Sequence, residues 1–149
     1  MTTYKGVVKT IADAATQEHT NASGRGEGSL LHVTQDIYTA ATLVQGSIVE
    51  IGSKLPLNAW VYETILGYAA LGASTSLSLG DIEDPDRYIT NTVTTSAGLV
   101  RTNAASGMNY QIDETNGTDA ANTDRQIQLI VVDTGSATGL IKATIFWAK

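Results

Sequence analysis

The chain has no cysteine among its 149 residues, so a disulfide framework, a thiolate metal site and a cysteine nucleophile are all excluded, and stability must come from packing. Charge is scarce as well. Only 16% of residues are charged, against roughly 25% in ordinary soluble domains, so Thr, Ser, Asn and Gly carry much of the solubility. Positive charge is scarcer still: nine Lys and Arg stand against fifteen Asp and Glu, for a net charge of −6. The cations are scattered singly, and the field of such a molecule opposes a polyanion, which argues against nucleic acid as a partner. No run of about 18 apolar residues occurs, and no basic segment leads into an apolar stretch at the N-terminus, so neither a membrane span nor a signal peptide is read. The expectation is a soluble protein made in a cytosol.

What is present is two-residue alternation. At 107–112, Met108, Tyr110 and Ile112 share one face and Asn109 and Gln111 the other, as a half-buried strand requires. Near the C-terminus Ile141, Ala143, Ile145 and Trp147 alternate with Leu140, Lys142, Thr144 and Phe146. Leu31, Val33 and Ile37 alternate with His32, Thr34 and Asp36, which predicts a strand with the aliphatic side inward. SIVEI is a short strand, followed by SKLPLNA as a connector at Pro56. AWVYETILGYAA reads as a long strand, since β-branched and aromatic residues favour strand over helix; Trp60, Tyr62, Leu66 and Tyr68 would line one face, packed in the core.

STSLSLG then suggests a hairpin with that long strand, and RQIQLIVVD and GLIKATIFW, separated by TGSATG, suggest a second, antiparallel hairpin. Residues 90–106 and 113–125 read as polar loops. With the N-terminal YKGVVKTI this makes about eight strands. The fold class is all-β, an antiparallel β-sandwich of jelly-roll type, with a barrel as the other way to close the sheets. The predicted core is Leu31, Val33, Ile37, Leu66, Leu77, Leu79, Ile112, Leu129, Ile145 and Trp147. Residues 1–149 form one domain, with 1–28 a candidate N-terminal arm and linker.

Catalytic patterns are missing. GRGEGS at 24–29 lacks the spacing of a dinucleotide or phosphate loop, and neither GASTS nor GSATG supplies a nucleophile elbow. His19 and His32 lack the spacing of a helical zinc site and read as solvated. The acidic run Asp81, Glu83, Asp84 and Asp86 has no central Gly and is interrupted by Pro85, so it reads as a solvated turn closed by Arg87 and not as a calcium loop. No catalytic residue, cofactor or metal is assigned. The Asn116-Gly117-Thr118 sequon carries little weight without a secretory signal.

The run GSIVEIGSKLPLNAWVYETILGYAALGASTSLSLGDIEDPDRYI, the C-terminal ATGLIKATIFWAK and the opening YKGVVKT resemble the capsid decoration, or cement, proteins of tailed bacteriophages. The most specific stretch runs from KLP through the long strand and ALGAST to the charged DRYI turn. The resemblance implies a non-enzymatic β-sandwich subunit on the outer face of an icosahedral head, made in the bacterial host cytoplasm. It implies a homo-oligomer, a trimer by preference, whose partner is the major capsid protein. A tail or head-fibre module that binds a carbohydrate or a receptor is the alternative. Interface residues are expected at Tyr4, Lys5, Val7, Lys9 and Arg87: the segment 1–11 carries Lys5 and Lys9 with no acidic residue before Asp13.

Overall fold

The computed structural model describes residues 3–5, 31–102, 110–112, 125–133 and 135–149. Among these there is no helix, and the strands are β1 (Thr3–Lys5), β2 (His32–Leu43), β3 (Ile48–Leu55), β4 (Trp60–Tyr68), β5 (Ser76–Gly80), β6 (Ile89–Val93), β7 (Gly98–Arg101), β8 (Tyr110–Gln111), β9 (Arg125–Val131) and β10 (Ala137–Ala148). They build two sheets. Sheet A has the order β1-β3-β9-β5-β6; sheet B has the order β2-β10-β4-β7, with β8 paired to β4. Without β1 and β8 this is the eight-stranded double Greek key of a jelly roll, and the expected antiparallel sandwich is what the chain forms. The one parallel pairing is β1 with β3. The sheets meet at β2 against β3 along one edge and at β6 against β7 along the other.

Two expected hairpins do not form. β9 lies in sheet A between β3 and β5, while β10 lies in sheet B between β2 and β4, so the TGSATG segment crosses from one sheet to the other. The same is true of β4 and β5. A jelly roll pairs strands that are distant in sequence, which local turn signals cannot reveal. The one short-range hairpin in this region is β5 with β6, closed by the charged turn at 81–88. The polar stretch at 90–106 is also more than a loop: it contains the end of β6 and all of β7.

Leu77, Leu79, Leu129 and Ile127 from sheet A pack against Leu66, Ile141, Ala143 and Ile145 from sheet B, all inaccessible to solvent or nearly so. Burying each large aliphatic side chain contributes roughly 1.5–3 kcal/mol, which makes this layer the main source of stability. Six of the ten predicted core residues are fully buried here, and Trp147 is partly buried against them. Leu31, Val33 and Ile37 are not: they are 58%, 55% and 39% exposed. In β2 the inward face is the other one, made of Thr34, Asp36, Tyr38 and Ala40. Polar residues are tolerated there because each finds a partner. Asp36 accepts from Gly52 N of β3 at 2.9 Å and from Ile37 N at 2.8 Å, and Thr34 accepts from Trp147 Nε1 at 3.0 Å.

Gly52 has φ +58° and no room for a Cβ, which would collide with the Thr34 methyl. It sits where the β3–β9 register shifts, and this bulge aims its N–H at Asp36. A second bulge explains the aromatics of β4. The β4–β10 register slips between Phe146↔Glu63 and Trp147↔Val61, so Val61 points inward before the slip and Thr64 and Leu66 after it. Trp60 and Tyr62 thereby turn outward, 41% and 39% exposed, and do not share the face of Leu66.

Candidate interaction surface

The acidic turn after β5 is anchored by a buried carboxylate, while Ile82, Pro85 and Asp86 stay exposed, so the expected solvated turn is corrected at Asp81. Asp81 is inaccessible; its Oδ1 accepts from the backbone N–H groups of Glu83 and Asp84, both at 3.0 Å, and its Oδ2 accepts from Arg87 Nε at 2.9 Å. Arg87 does close the turn, as the spacing suggests. Arg125 of β9 joins from the neighbouring strand, paired with Glu83 and 3.7 Å from Asp81. Two arginines and two carboxylates thus cancel one another inside the protein. Gly80 lets this happen: a Cβ there would strike the Asp84 carbonyl and the Pro85 backbone, so only glycine lets the turn fold over β5.

The Arg87 guanidinium also lies 4.1 Å from the centroid of the Tyr110 ring, and its side chain is 14% exposed. Burial opposes its charge, but Asp81 and Tyr110 outweigh burial and raise its pKa. Tyr88 meets Tyr110 edge to face, centroids 6.3 Å apart. Burial, and secondarily the Asp81 charge, push the Tyr88 phenol far above the ordinary tyrosine range. The cluster ties β5, β8 and β9 together and leaves no open carboxylate set for a cation. Among the described residues no group of three or more His, Asp or Glu could hold a metal ion.

The other candidates are dispersed. Tyr4 and Lys5 lie in β1, where the parallel register sets Tyr4 opposite Val49 and Lys5 opposite Glu50. Val7, Lys9, His19, GRGEGS, most of the 113–125 segment and the sequon fall outside the described residues. His32 is half-buried, not solvated: its ring stacks on Trp147 with centroids 4.3 Å apart and planes 19° from parallel. The aromatic pair therefore bridges β2 and β10 at one end of their pairing.

The surface that sequence reasoning missed is the outer face of sheet B. Register places Val33 beside Phe146, and Ile37, Lys142, Gly67 and Leu99 in one row across four strands. Val33, Ile37, Leu99 and Leu140 are between 39% and 62% exposed. Single exposed aliphatics are ordinary, but several on one sheet face make that face a candidate protein contact. The signal was the alternation in β2 itself, which is as strong for a face covered by a partner as for one covered by the core. At the far side Arg101 and Glu63 form an ion pair at 2.7 Å that borders the apolar area.

No protein-family model matches the sequence, and no curated protein matches it. Solved structures do. A chain of the cyanophage Pam1 capsid asymmetric unit superposes with a TM-score of 0.67 at 18% identity, covering 90% of this chain and 95% of that one. A chain of the capsid of Ralstonia phage GP4 gives 0.66 at 18% identity, covering 99% and 97%. A chain of the acidic stable capsid of Helicobacter pylori bacteriophage KHP30 gives 0.56 at 12% identity, covering 83% and 90%. At these identities the likeness is one of fold, and the class so defined is a jelly-roll domain of the kind found in phage capsids. The matches run nearly end to end in both partners, so each matched chain is about the length of this one.

Proposed function

We propose that this chain is a phage head decoration protein that binds the outer surface of the capsid and stabilises it, without catalytic activity. The observation that carries this reading is the end-to-end likeness to capsid chains of similar length, which is a likeness to a whole subunit and not to one domain of a larger shell protein. Three further features support it. The outer face of sheet B offers exposed aliphatic side chains for a partner. Low charge density makes repeated protein contacts less costly to desolvate. The buried charges at 81–125 are compensated internally and leave no reactive group.

In this reading the partner is the major capsid protein and the subunit is a homotrimer. Residues 1–28 serve as arm and linker, and Tyr4, Lys5, Val7 and Lys9, together with the exposed margin of Arg87, take part in capsid or subunit contacts. The test is direct. Heads assembled without this chain are mixed with the purified protein, and bound copies are counted against capsomers after sedimentation. Stoichiometric occupancy of capsomer sites and raised thermal stability of the heads are expected. Binding confined to a single vertex or to the tail would replace the decoration reading with that of a fibre module.

A further inference from the structure

A groove of about 430 Å³ crosses the outer surface of sheet A, between the β2–β3 turn at Gln45 and Gly46 and the turn that carries Pro85 and Asp86. Ile130 and Val132, both half-buried, form its floor with Pro85 beside them. The backbone around it is already satisfied: Gly46 N donates to Val131 O at 2.9 Å, Val132 N to Ser76 O at 3.0 Å, and Gln45 Nε2 to Val132 O at 3.0 Å. What the groove lacks is an apolar occupant and not a hydrogen-bonding one.

Its rim is acidic. Asp86, an exposed residue, lines it, and the neighbouring Asp84 carboxyl, with desolvation a smaller cause, pushes the Asp86 pKa up. Asp133 follows Val132 at the opposite end and accepts from Ser76 Oγ at 2.6 Å. No Lys or Arg is among the lining residues, and the nearest arginine, Arg87, has its guanidinium on Asp81. Carboxylates this close without a counter-ion repel one another, and a cation brought from outside relieves the repulsion.

The chain itself contains one segment of complementary chemistry. Residues 4–11, YKGVVKTI, place Lys5 and Lys9 among Val7, Val8 and Ile11, in a protein whose net charge is −6. β1 runs parallel to β3, from Thr3 opposite Ile48, beside the Gly46 turn, to Lys5 opposite Glu50, so the chain leaves β1 heading away from the groove. We propose that the groove receives residues 6–11 of a second copy of this chain, with aliphatic side chains on Ile130 and Val132 and Lys9 against Asp84 and Asp86. The inference rests on the self-association part of the proposed function and not on capsid binding.

A charge exchange in the full-length protein tests it. Lys9→Asp and Asp86→Lys are made singly and together, checked for an unchanged melting temperature, and compared by sedimentation equilibrium. Each single change is expected to weaken self-association at least tenfold, and the combination to restore it to within about threefold. Because the chain lacks cysteine, Val7→Cys with Asn91→Cys gives a clean second readout: an intermolecular disulfide on oxidation, absent from either single variant. Wild-type association that neither single variant alters, or a combination no better than the worse single variant, overturns the inference while the decoration reading stands. A wild-type chain that decorates heads as a monomer removes self-association and the inference together.

Discussion

Asp81→Ala tests whether the turn after β5 is a buried hub or a hydrated loop. The side chain is inaccessible and holds three hydrogen bonds at 2.9–3.0 Å, two from backbone amides and one from Arg87, with Arg125 at 3.7 Å. Removing one partner of a buried charge pair costs about 3–5 kcal/mol, because the other charge is left uncompensated. Here Glu83 remains to hold Arg125, and the two amides lie in a turn that water can reach after some relaxation, so we expect about 4 kcal/mol and not the sum of all the bonds. In a chain of this length each kcal/mol lowers the melting temperature by roughly 2–4 °C, so the drop is about 8–16 °C. Asp81→Asn keeps an oxygen for the amides but loses the charge, and should fall about midway. Urea denaturation followed by circular dichroism reads both, at low salt and at 0.5 M NaCl (about five times the ionic strength at which the Debye length is 10 Å), and salt should change the cost little because the pair is shielded from solvent. A cost below about 1 kcal/mol for Asp81→Ala would refute the hub and return the turn to the solvated state that its sequence suggests.

Three other outcomes follow from the same structure. Gly80→Ala forces a methyl into the Asp84 carbonyl and Pro85 backbone, so the turn must lift from β5; a loss of at least about 2 kcal/mol is expected by urea titration, and a neutral result would mean that the turn is not held there. The Tyr88 phenol has its pKa raised above the unfolded value near 10, so the native state keeps a proton that the unfolded chain loses; its contribution is intact below about pH 10 and declines as pH rises further. Alkaline melts should show this decline in the wild type and a shallower one in Tyr88→Phe. Ile37→Ala with Val33→Ala removes exposed side chains only, so the melting temperature should move by no more than about 2 °C while head binding weakens; unaltered binding would move the capsid contact off sheet B.

The sheets were legible in the sequence wherever one strand alternates against one core. β10 and the Leu77–Leu79 segment read correctly as strands because Leu77, Leu79, Ile141, Ala143 and Ile145 keep a constant inward phase, although in β5 the alternating serines are buried as well. β2 misled because its aliphatic residues Val33 and Ile37 lie on the exposed outer face, while its inner face carries Thr34, Asp36 and His32 with their partners. β4 misled because alternation assumes constant phase, and one bulged residue near Tyr62 reverses it. The salt-bridge hub joins residues 81–87 to Arg125, a separation over which no sequence motif extends. Arg87 as the closing residue was visible; the burial of Asp81 was not, because it depends on β9 arriving beside β5.

The place of β10 has a kinetic consequence. It is an inner strand of sheet B, bonded on one side to β2 across ten register positions and on the other to β4, so β2 has no partner in that sheet until β10 exists, whereas β4 already has β7 and β8. Closing a loop of more than ninety residues, from Leu43 to Ala137, before the first contact of β2 with β10 carries a heavy entropic toll, which predicts slow, all-or-none folding. A nascent chain on the ribosome that lacks β10 leaves β2 without a strand partner and exposes one edge of β4. Such a chain presents the unpaired edges that chaperones bind, and sheet B is complete only after β10 is inserted.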